Sequence, residues 1–165
     1  MKTKKLTTLA LLTAGAMILS YVESMLPSIG IPGVKMGLAN IAVIFALYRL
    51  GWKEALGISL VRVFMVSMLF GSMSALLYSL AGAALSLGVM ALLKRLDRFS
   101  ETGVSVAGGV AHNIGQIAVA AMVLESGAIF YYLPVLLLSG SAAGAVIGFL
   151  GGLIVKRLQG VLKVE

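Results

Sequence analysis

Apolar residues run through this chain in long blocks that a few short polar clusters interrupt. Four blocks, at 6–26, 74–93, 102–124 and 129–155, reach the about 20 residues that a helix needs to cross a hydrocarbon core. Between Pro27 and Ser74 two shorter apolar stretches, 36–50 and 54–70, are parted by Gly51, Trp52 and Lys53. One hairpin dipping in from the outer side would carry Arg49, Lys53 and Glu54 towards the midplane. That costs roughly 2.5–3.5 kcal/mol per charge. Two thin spans avoid the cost. The pattern therefore predicts an all-α integral membrane protein, a six-transmembrane-helix bundle making one transmembrane domain over 1–165.

Composition agrees. Hydrophobic residues make up 60% of the 165 positions and charged residues 12%, against about 45–50% and about 25% in an ordinary soluble domain. A chain of 17.1 kDa cannot hide that excess inside a globule, because a small domain leaves much of its surface in water. Soluble enzymes, disordered chains and fibrous repeats are excluded. With no cysteine, the chain has no disulfide framework, thiolate metal site or cysteine nucleophile.

Charge placement tests the span count independently. Six spans put the N-terminus, the 49–54 turn, the 94–101 loop and the C-terminus on one face, which then holds 11 of the 13 Lys and Arg residues. The other face keeps Lys35, and Arg62 falls inside a helix. This asymmetry follows the positive-inside rule and predicts that both termini are cytoplasmic. The pI near 9.9 is thus read as topology and contact with membrane lipid, and not as nucleic-acid binding. Lys2–Lys5, the apolar run after them and Ala14-Gly15-Ala16 also have the form of a secretory signal. The first block is kept as a span, because it carries residues the rest of the chain can use.

Small residues four apart let helices approach closely in lipid. Gly140, Gly144, Gly148 and Gly152 form such a series in the last span, and Ala10 and Ala14 a weaker pair in the first. Internal packing or docking and sliding surfaces for a partner both fit these stripes. Ionisable groups inside spans point to a site by default. Arg62 lies about 12 Å into the third span at 1.5 Å per residue, and an arginine keeps its proton. It either pairs with Glu23, near the outer end of the first span, or faces a cavity and holds an anion or a polar ring. His112, Asn113 and Gln116 are the densest polar group in any span. His112 and Gln116 share a helix face, while Asn113 points about 100° away. These three knit helices together or line a pocket. Lys35 and Asn40 follow the turn-rich outer connection 27–33, placing them at the mouth of such a pocket.

Catalytic equipment is missing. No Walker-type loop supports nucleotide hydrolysis, and no Ser–His–acid grouping is present. Asp97, the single aspartate, cannot gather Mg²⁺ with other carboxylates. One histidine and no cysteine make no metal site. The chain is predicted to have no catalytic residues, no metal and no cofactor.

Pro32-Gly33-Val34-Lys35-Met36-Gly37-Leu38-Ala39-Asn40-Ile41, Arg62, Ser86 to Met90 and Ala111-His112-Asn113-Ile114-Gly115-Gln116 together resemble the Gx transporter family. That family is also labelled heptaprenyl diphosphate synthase component I. Its design is similar to the S components of energy-coupling factor transporters. The resemblance implies a six-helix subunit that captures a vitamin- or cofactor-like molecule near the outer face. It also implies partner transmembrane and ATPase subunits, with docking on small residues of the first helix, here Ala10 and Ala14. Catalytic prenyl synthases use aspartate-rich motifs, so the synthase label fits a non-catalytic accessory subunit. Together these readings predict a membrane substrate-binding subunit for uptake of a small cofactor-like or anionic molecule. Its ligand residues are Lys35, Asn40, Arg62, His112, Asn113 and Gln116. The alternative is an accessory subunit of a prenyl diphosphate synthase or a redox system.

Overall fold

A computed structural model describes residues 2–25 and 37–158, and their regular structure is entirely helical. Six α-helices follow in order: α1 Lys2–Met25, α2 Asn40–Arg49, α3 Trp52–Phe70, α4 Met73–Leu96, α5 Glu101–Val123 and α6 Leu133–Arg157. A short 3-10 helix, Gly127–Tyr132, leads into α6. Local chemistry sets the boundaries. Ser72 and Ser100 cap α4 and α5 by accepting the N–H of Ala75 and Gly103, meeting donors that the first turn leaves unpaired. Asp97 closes α4 in the left-handed region at φ 51°, and Pro134 stands in the first turn of α6, where its missing N–H costs nothing.

Among the described residues, four segments are long and apolar enough to cross a membrane: Thr3–Met25, Met73–Leu96, Glu101–Val123 and Gly127–Arg157. The two stretches that read as thin spans behave differently. α3 has 19 residues but carries Lys53, Glu54 and Arg62. α2 has only 10 residues, about 15 Å, and does not reach across a core of about 30 Å. It starts later than the apolar pattern predicts because Gly37 sits at φ 74°. Its carbonyl then accepts the Asn40 N–H in a turn.

α2 nevertheless sits at the centre of the molecule. Ala42 to Leu47 are six successive buried residues, so no face is left for lipid or water, the signature of an enclosed helix. α1, α3 and α6 surround it, and Ala16, Ile58, Leu87, Met90, Val104 and Ile147 complete the core around Ile44 and Leu47. Beside this core α5 packs most extensively, between α4 and α6. One end of the bundle gathers the basic residues. There Lys5 Nζ donates to Glu54 Oε1 at 2.5 Å, and Lys94 Nζ donates to the Leu47 carbonyl at 2.5 Å.

The glycine series of α6 is an internal seam. A Cβ on Gly140 would lie 2.9 Å from the Gly109 carbonyl oxygen, one on Gly144 2.7 Å from the Ser105 oxygen, and one on Gly148 2.7 Å from Thr102 Cα. This corrects the reading of the series as a docking or sliding surface. Gly140, Gly144 and Gly148 already abut the backbone of α5, and Gly152 packs against the Glu101 side chain, so the stripe serves internal packing.

Gly144→Val forces two backbones apart and is expected to cost at least the about 1–3 kcal/mol of core overpacking. Gly88→Ala, with open space around the added methyl, is expected to leave stability unchanged or slightly raised. Thermal unfolding in detergent, followed by monodisperse elution, checks both.

Candidate functional site

The polar face of α5 is built by periodicity. Ser105, Gly108, Gly109, His112, Asn113 and Gln116 recur at helical spacing and therefore share one side. A side chain on α4 at position 82 would exclude them: a Cβ on Gly82 would lie 2.9 Å from both His112 Cε1 and Gln116 Cγ. The missing side chain admits the imidazole and the amide against α4. Asn113 is turned towards α6, where its Nδ2 donates to the Leu136 carbonyl at 2.5 Å. That bond ties α5 to α6 across the glycine seam.

In front of this face lies a cavity of about 230 Å³ lined by residues of all six helices. α1 brings Ser20 and Glu23, α2 brings Asn40, and α3 brings Arg62 and Ser67. α4 adds Ser79 and Ser86, and α6 adds Gly140 and Gly144. Phe70, Met90 and Ile147 supply apolar wall. The cavity lies towards the end of the bundle where α1 finishes and α2 starts, away from the basic end.

Arg62 brings a permanent positive charge to the cavity wall. Its Nε is buried and has no hydrogen-bond partner. Glu23 acts on it electrostatically, yet among the described residues no direct ion pair closes between them. Glu23 is instead fixed from the side, with Oε1 accepting the Gly37 N–H at 2.5 Å. That bond joins the end of α1 to the start of α2. Both charges therefore line one space without cancelling by contact. A guanidinium presents a rigid fork of donors suited to carboxylate or phosphate, and the neighbouring serine, asparagine and glutamine side chains both donate and accept.

Of the residues predicted from sequence, Asn40, Arg62, His112, Asn113 and Gln116 come together in this cavity. Lys35 lies outside the described residues. Ala10 and Ala14 are exposed on the outer side of α1 and do not line the cavity. Glu23 and the serines were not among the predicted ligand residues. A signal for them did exist: Ser20, Glu23 and Ser24 fall on one face of the first span, as Ser79 and Ser86 do in the fourth. Among the described residues, no three of His, Cys, Asp and Glu gather as metal ligands.

Asn113→Leu removes the donor to the Leu136 carbonyl. The expected loss is about 1 kcal/mol, the scale of interhelical hydrogen bonds in membranes. Reversible unfolding in mixed micelles measures it.

No curated protein and no solved structure matches the chain. A family model described as heptaprenyl diphosphate synthase component I matches residues 12–154. That match takes in α2 to α5 complete and every cavity residue named above. The chain belongs to the heptaprenyl diphosphate synthase component I family.

Proposed function

We propose that this protein is a membrane-embedded substrate-binding subunit for uptake of a small cofactor-like or anionic molecule, working with a separate ATPase module. The observation that carries the reading is Arg62 in the wall of the cavity, with its Nε buried and unpartnered. A permanent cation inside an apolar bundle is costly and marks a functional site by default. The cost is met when an anionic group of a ligand completes its hydrogen bonding. Size supports a small ligand. An apolar cavity of about 150 Å³ takes benzene, so about 230 Å³ takes about nine non-hydrogen atoms by proportion. That is far fewer than a heptaprenyl chain contains.

Transport fits the remaining features. The chain carries no nucleotide-binding loop, so energy comes from a partner. Its resemblance to S components of energy-coupling factor transporters supports transmembrane and ATPase subunits as that partner. The exposed Ala10 and Ala14 on α1 offer a low-relief stripe for docking. The concentration of basic residues at one end supports six passes with both termini cytoplasmic. The cavity then faces outward.

A second reading rests on the family description: a non-catalytic component I that holds a prenyl diphosphate synthase at the membrane. It predicts capture of a synthase subunit through the basic cytoplasmic loops, with the cavity residues dispensable.

Mass spectrometry of protein purified in mild detergent separates the two. The transport reading expects a stoichiometric small molecule in wild-type protein, at least tenfold depleted in Arg62→Ala and in His112→Ala. Wild-type protein that carries no small molecule and instead co-purifies with a synthase subunit overturns it.

A further inference from the structure

We infer that the cavity is built for a small zwitterion: one molecule that presents a carboxylate or phosphate to Arg62 and an ammonium to Glu23. The inference rests on the ligand-binding reading above and narrows its substrate class. Two charges of opposite sign, on α3 and α1, line the same space without a direct ion pair between them, among the described residues. Had the pair served only to neutralise Arg62, direct contact would be the cheapest arrangement, since the attraction rises as separation falls. The structure instead clamps Glu23 from the side. Its Oε1 is held by the Gly37 N–H, which leaves Oε2 to accept from a ligand. Arg62 keeps buried donor capacity unused. A molecule bridging the two satisfies both and leaves the loaded site neutral.

A purely anionic ligand would meet Arg62 but leave the Glu23 carboxylate facing it across a poorly screened space. A purely cationic ligand would meet the reverse. The serine hydroxyls and the Asn40 and Gln116 amides around the two charges suit the polar substituents of such a molecule. The cavity volume admits about nine non-hydrogen atoms, the size of a mid-sized amino acid or of a phospholipid's phosphoethanolamine headgroup.

The test uses full-length protein in nanodiscs of phosphatidylglycerol, so that no zwitterionic lipid competes. Equilibrium dialysis with labelled probes compares leucine, 4-aminobutyrate, 6-aminohexanoate and phosphoethanolamine. Hexanoate and hexylamine serve as single-charge controls. At least one zwitterion is expected to bind tenfold or more tightly than both controls. Glu23→Gln, isosteric and still able to accept the Gly37 N–H, is expected to raise hexanoate to the level of that zwitterion. Arg62→Lys keeps the charge and is expected to weaken binding less than Arg62→Gln. A preference for phosphoethanolamine that disappears in phosphatidylethanolamine nanodiscs assigns the site to a lipid headgroup, and one that persists there assigns it to a free solute. Hexanoate binding wild-type protein as tightly as every zwitterion overturns the inference, as does a zwitterion preference unchanged in Glu23→Gln. If no probe binds but a co-purified molecule is still lost in Arg62→Ala, the zwitterion fails and the ligand cavity stands. If no probe binds and nothing co-purifies, both fail.

Discussion

Hydrocarbon accommodates an apolar side chain about as well as a neighbouring helix does, so these helices are held together by how near their backbones can come. The seam between α5 and α6 is where that constraint is met most fully. Gly140, Gly144 and Gly148 each lie so close to the α5 backbone that a single added carbon would collide with it. On the other side of α5, Gly115 does the same against the α4 backbone, and Gly82 of α4 does so against α5. The three helices become one rigid wall. Its stiffness lets α5 hold His112, Asn113 and Gln116 at fixed positions, which a loosely packed helix in lipid could not do.

The opposite wall is made differently. α2 buries six successive residues although it is only 10 residues long. Its start, with Gly37 and Asn40, lies in the cavity wall. A left-handed glycine and the hydrogen bond from its N–H to Glu23 place that start. The space beyond α2, between α3 and the rigid wall, is the cavity.

Polar groups inside the bundle fall into two kinds. Asn113 is consumed by the fold, its amide donated to the Leu136 carbonyl. Lys5 with Glu54, and Lys94 with the Leu47 carbonyl, likewise serve the architecture at the basic end. Arg62 and Glu23 are left uncombined around a common space, and it is this difference that gives the cavity its chemical character. Burial of a charge is tolerated where it is paired, and here the pairing is available to a guest.

The primary structure by itself determined the apolar solvent of this protein, its helical class and some of the residues that line its cavity. Long apolar blocks admit no other medium, and Arg62, His112 and Gln116 stood out because polar atoms are rare and expensive in that setting. Three things belonged to the tertiary structure alone. The shortness of α2 depends on a backbone angle at Gly37 that apolar patterning does not encode. The destination of the Gly140–Gly152 stripe depends on which neighbour reaches it first, and periodicity gives the face of a helix but not what lies across from it. The serines escaped notice because a hydroxyl can satisfy itself on its own helix, so nothing in their spacing shows whether they line a void. Whether Glu23 and Arg62 touch was equally hidden. That distance is set by how α1 and α3 pack, and only the assembled bundle holds the two charges apart.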